Sequence, residues 1–86
     1  MIQRNGDGMF RWDQETRKRS VLISAKGTQC GEVERLDDTW GAYLNIEVRK
    51  GVDFLCIGYF GTESVARQAV IDWWTYAAEQ ARGLGL

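Results

Sequence analysis

Histidine is absent from the 86-residue chain, and cysteine occurs only twice, at Cys30 and Cys56. Without histidine, the serine–histidine and cysteine–histidine nucleophilic pairs cannot be assembled. Two well-separated cysteines fall short of the four-ligand set that holds structural zinc. No metal or other cofactor is therefore expected. No apolar run approaches the ~18 residues needed to cross a bilayer. The N-terminus is polar rather than a charged stretch followed by an apolar one, so the expected location is cytoplasmic, with no membrane partner. Thiols in that compartment are expected to be reduced. Proline is missing too, and the breaks between elements are marked by glycine and aspartate. A phosphate-cradling loop is not present: Asn5-Gly6-Asp7-Gly8 is followed by neither the lysine nor the helix such a loop requires. Asp37 and Asp38 are adjacent carboxylates in a turn, which are expected to face water rather than share acid–base work. The absences together point away from an enzyme.

What is present reads as one folded domain spanning 1–86. Hydrophobic residues at 44% and charged residues at 27% match a globular chain rather than a disordered one, at a size where a single core is only just sufficient. The stretch from Trp40 to Tyr76 organises the rest. Gly41 to Arg49 alternates, with Ala42, Leu44, Ile46 and Val48 on one face and Tyr43, Asn45, Glu47 and Arg49 on the other. Lys50-Gly51 marks a turn, and Asp53 to Phe60 follows as a strand that is apolar on both faces, completing a hairpin. Thr62 is the N-cap of a helix in which Val65, Ala66, Ala69, Val70, Trp73, Tyr76 and Ala77 share one arc. Trp73 is the expected core anchor, and Gly83 ends the helix just after Arg82.

Upstream, residues 1–8 read as a flexible lead-in. Met9 to Trp12 forms a short strand, Asp13 to Arg17 a connector, Arg19 to Ala25 a second strand and Cys30 to Leu36 a weaker third. The expected fold is α+β: a four- or five-stranded antiparallel β-meander over 9–60, with one C-terminal α-helix, 62–82, packed on one face.

Charge is unevenly placed. Residues 1–28 carry Arg4, Arg11, Arg17, Lys18, Arg19 and Lys26 against Asp7, Asp13 and Glu15; residues 29–38 carry Glu32, Glu34, Asp37 and Asp38 against Arg35. The total is nonetheless only −1, and a nucleic-acid domain is more often clearly basic. A protein-binding site is expected at Ile71, Trp74 and Ala78, a helix stripe displaced from the core arc, together with Tyr43 and Glu47 on the sheet. The same stripe is a candidate homodimer contact. Tryptophan at such a patch suits a binding hot spot. The competing site is a DNA-binding set: Arg11, Arg17, Lys18, Arg19, Trp40, Asn45 and Arg49. Arginine would read guanine and asparagine adenine.

From Trp40 to about Tyr76 the chain resembles the ethylene-response-factor DNA-binding domain. The features that carry the resemblance are Trp40-Gly41 opening a strand that ends in Arg49, then Gly58-Tyr59-Phe60 with Thr62, then Ala66, Arg67 and Ala69. It implies a three-stranded antiparallel sheet backed by a helix, with the sheet laid in the major groove and Trp40 and Arg49 at DNA-contacting positions. Where that family has an arginine-rich strand, this chain has Glu32, Val33, Glu34 and Arg35, then Asp37 and Asp38, and those carboxylates repel phosphates. Small size, bipolar charge and a compact sheet with one helix also resemble phage-encoded or mobile-element inhibitors such as anti-CRISPR proteins. That likeness implies an inhibitor or regulator of a host nucleic-acid-handling complex, acting by steric occlusion. The leading expectation is thus a non-enzymatic protein-binding module, and the alternative is a sequence-specific DNA-binding domain.

Overall fold

The computed structural model describes residues 10–48 and 51–83, so the lead-in expected over 1–8 and the side chain of Arg49 lie outside the described residues. The strands are β1 (Phe10–Thr16), β2 (Arg19–Ser24), β3 (Gln29–Leu36), β4 (Thr39–Val48) and β5 (Gly51–Phe60), followed by α1 (Glu63–Gly83). They form one sheet in the order β1-β2-β3-β4-β5, with every neighbouring pair antiparallel. The α+β meander has its five strands and its C-terminal helix on one face.

Tight turns fix the register. Thr16 pairs with Arg19 across Arg17-Lys18, and Leu36 pairs with Thr39 across Asp37-Asp38, where Asp37 takes a left-handed conformation at φ 57°. The first strand is longer than its apolar residues suggest. Asp13 and Gln14, expected in a connector, pair with Val21 and Ser20.

Pairing then dictates the two faces. Leu22, Val33, Ala42 and Leu44 point to the helix and are fully buried with Ala66 and Val70 of α1. Gly31 lies in the middle of this contact. A Cβ there would come within 2.7 Å of Val70 Cγ1, so the absent side chain sets how closely the helix can approach. Thr62 caps α1 as expected, its Oγ1 accepting from the Val65 N–H at 3.2 Å.

The helix is rolled relative to its sequence arc. Ala66 and Val70 are buried as expected, but Val65, Trp73 and Tyr76 are 53%, 37% and 62% exposed. Trp74, not Trp73, is the aromatic anchor. Its Nε1 donates to the Cys30 carbonyl at 3.0 Å. The cause is a β-bulge: β3 places Gly31 opposite Leu22 but Gln29 opposite Ile23, which leaves Cys30 as the extra residue whose carbonyl turns to the indole. The same flank is pinned two turns earlier. Arg67 Nη2 donates to Ser20 Oγ at 2.7 Å and pairs with Glu63 at 2.6 Å, Ser20 Oγ donates to Glu63 at 2.8 Å, and the guanidinium lies 5.0 Å from the centre of the Trp12 ring.

Candidate functional site

The helix covers one face of the sheet and leaves the other open. By register, that open face is built from Arg11, Asp13 and Glu15 on β1, Arg19, Val21 and Ile23 on β2, and Glu32 and Glu34 on β3. Beyond these come Gly41, Tyr43 and Asn45 on β4, then Val52, Phe54, Cys56 and Tyr59 on β5. It divides into a charged half over β1 to β3 and an apolar half over β4 and β5.

In the charged half the cations are held by carboxylates. Arg11 Nε meets Asp13 at 3.3 Å, and Arg19 bridges Glu15 and, at 2.9 Å, Glu32. The hydrogen bond that it donates to Glu32 is the main reason the Arg19 guanidinium holds its proton more firmly than usual. Val21 is boxed in below them and is 2% exposed although it faces away from the helix. Glu34 makes no ion pair among the described residues.

In the apolar half Tyr43 lies along its own strand. A Cβ on Gly41 would fall 2.5 Å from the Tyr43 hydroxyl, so the ring occupies the space a side chain at Gly41 would take. Burial first, and then the neighbouring Cys56, Tyr59, Glu34 and Glu32, push the Tyr43 phenol above its usual range. Beyond it Val52, Phe54 and Tyr59 are 54%, 60% and 63% exposed. Where the halves meet, Arg19, Glu32, Glu34, Tyr43 and Phe54 line a shallow open hollow. It offers an aromatic wall and a carboxylate rim.

The residues expected from sequence are distributed differently. Ile71, Trp74 and Ala78, expected as an exposed stripe, are half-buried, with Ile71 and Trp74 packed against the core. The Cys30 bulge and the Ser20 clamp draw that flank onto the sheet, so the stripe does not stand out as a fully exposed patch. Tyr43 is on the open face; the Glu47 side chain lies outside the described residues. Of the DNA-reading set, Arg11, Arg19 and Asn45 share the open face, with Asn45 Oδ1 accepting from Gln29 Nε2 at 3.3 Å. Trp40 is on the helix face, packed at the edge of the core. Arg17 and Lys18 are exposed at the β1–β2 turn.

Sequence reasoning did not single out Val52, Phe54, Tyr59, Glu32 and Glu34. A signal was available: the last strand before the helix is apolar on both faces, and in a meander it has a neighbour on only one side. Cys30 and Cys56 are separated by β4 and are both free thiols, Cys56 exposed and Cys30 half-buried. Among the described residues no three of His, Cys, Asp or Glu gather as a metal site, and no helix is long and apolar enough to cross a membrane. No family model matches the chain, and no curated protein or solved structure matches it significantly.

Proposed function

We propose that this protein is a non-enzymatic binding module that docks a protein partner on the open face of its sheet. It acts by steric occlusion, as an inhibitor or regulator of a host nucleic-acid-handling complex in the manner of small phage-encoded inhibitors. The observation that carries the reading is the apolar half of that face, where Phe54, Tyr59 and Val52 stand exposed beside Tyr43. Rigid aromatics on a flat sheet are the anchors that protein interfaces use. The hollow adds selectivity: the aliphatic stem of a partner's lysine or arginine lies against Phe54 and Tyr43, and its charged head meets Glu34.

The DNA-groove reading has less support. Arg11 and Arg19 are already held by Asp13, Glu15 and Glu32, and the same face carries Glu34. Two measurements decide between the readings. Random-sequence duplex DNA is titrated at low and at moderate salt, and affinity capture from a bacterial lysate is run with the wild type, Tyr43→Ala and Glu34→Gln. The expected result is no retardation of DNA, with a protein retained by the wild type and weakened about tenfold or more by Tyr43→Ala. Salt-sensitive retardation would move the assignment to DNA. Equal capture by all three proteins would remove the open face as the docking site.

A further inference from the structure

The exposed large apolar side chains are not scattered over the molecule. Val52, Phe54 and Tyr59 border β5 on the open face, and Leu55, 45% exposed, borders it on the helix face. α1 packs across β3, β4 and β5; Arg67 and Trp74 turn one flank toward Trp12, Ser20 and Cys30, so the opposite flank, with exposed Val65, Trp73 and Tyr76, is turned toward the β5 side. Among the described residues Leu36 alone lies elsewhere.

β5 is also an outer strand, with no neighbour along its far side among the described residues. Natural edges are shielded by charge, lysine or proline. The opposite edge, β1, is shielded in this way by Arg11, Asp13 and Glu15. β5, ten residues long, carries a single charge, Asp53, and neither lysine nor proline.

We propose that a second copy of this chain pairs here, β5 antiparallel to β5 about a two-fold axis, so that two five-stranded sheets become one. The area is sufficient. At their observed exposures the four aromatics Phe54, Tyr59, Trp73 and Tyr76 present on the order of 400 Å². Val52, Leu55, Val65 and the paired backbone add to this, toward the roughly 800 Å² per partner of a standard interface. Register follows from chemistry. Residues directly opposite in an antiparallel pair share a face. A two-fold axis at Asp53 would oppose two carboxylates, whereas one at Phe54 stacks Phe54 on its own copy and sets Val52 against Cys56 and Asp53 against Leu55. The pairing runs over 52–56, because the bulge at Ile57 and Gly58 at φ 152° bends the strand beyond. With β1 shielded, assembly stops at two. The dimer does not rest on the docking reading, but it takes Val52, Phe54 and Tyr59 from the same face and leaves Tyr43, Glu32 and Glu34 to a docked partner.

Analytical ultracentrifugation of the full chain across the micromolar range tests this, with amide exchange measured on the same samples. The expected result is a species of twice the 9.8 kDa chain mass, with alternate β5 amides exchanging more slowly as concentration rises. Phe54→Lys, at an exposed position on the axis, weakens self-association about tenfold or more by setting two cations directly opposite one another. A monomer at every concentration overturns the proposal, and so does a dimer whose β5 amides exchange as freely as those of the monomer.

Discussion

Trp73 and Trp74 stand edge to face with ring centroids 5.2 Å apart, yet their positions differ in kind. Trp74 is half-buried and gives its indole N–H to a backbone carbonyl; Trp73 is 37% exposed. Trp74→Phe keeps most of the apolar contact but leaves the Cys30 carbonyl without its donor, and is expected to cost about 1–3 kcal/mol. The urea midpoint at constant slope measures this, and Trp73→Phe should leave it nearly unchanged. A larger loss for Trp73→Phe would reverse the assignment of the anchor. The two thiols separate just as clearly. Cys30 is half-buried and burial pushes its pKa up, whereas Cys56 is exposed on β5. An aromatic disulfide reagent at neutral pH should therefore react in one fast and one slow phase. Cys56→Ser should abolish the fast phase. Two thiols reacting at the same rate would mean that Cys30 is not sheltered beneath the helix.

At the level of elements, the helix meets the sheet through Gly31 and Val70. Gly31→Ala must move either Val70 or the helix axis to relieve the 2.7 Å contact, and is expected to destabilise by about 1–3 kcal/mol. Adding Val70→Ala removes the Cγ1 that clashes. The double variant should therefore lose less than the sum of the two single losses, and additivity would show that the contact is not close. Much of the architecture was legible because β4 alternates so regularly. Ala42 and Leu44 could be assigned to the core, and Tyr43 and Asn45 to the open face, from spacing alone. The length of β1 was not legible, since Asp13 to Thr16 is polar and is held by backbone pairing to β2 and by its ion pairs. Nor was the roll of the helix. A 100° arc admits either tryptophan, and the choice was made by a bulge at Cys30 whose bonding depends on strands distant in sequence. The candidate face was half legible: Tyr43 was marked by alternation, but Phe54 and Tyr59 needed the strand order, which places β5 at the rim.

For the whole molecule, ionisable groups on both faces of the sheet resist losing their protons. Burial raises the Cys30 thiol above its ordinary 9.0 on the helix side, and burial together with nearby ionisable groups raises the Tyr43 phenol above 10.0 on the open side. A pKa raised on folding means that the native state keeps a proton the unfolded chain has already released. Below about pH 9 both states hold both protons, and these groups add no pH dependence. Above it the unfolded chain ionises first, so stability falls as pH rises, beginning with the thiol and continuing with the phenol. Thermal unfolding from pH 8 to 11 should therefore show a falling midpoint. Cys30→Ala is expected to remove the part of the slope that begins near 9, and Tyr43→Phe the part that begins near 10. The slope is the readout in each case, because either substitution also shifts the baseline midpoint. If the double variant kept the full wild-type slope, neither group would be sheltered by folding, and the burial assigned to the two faces would be wrong.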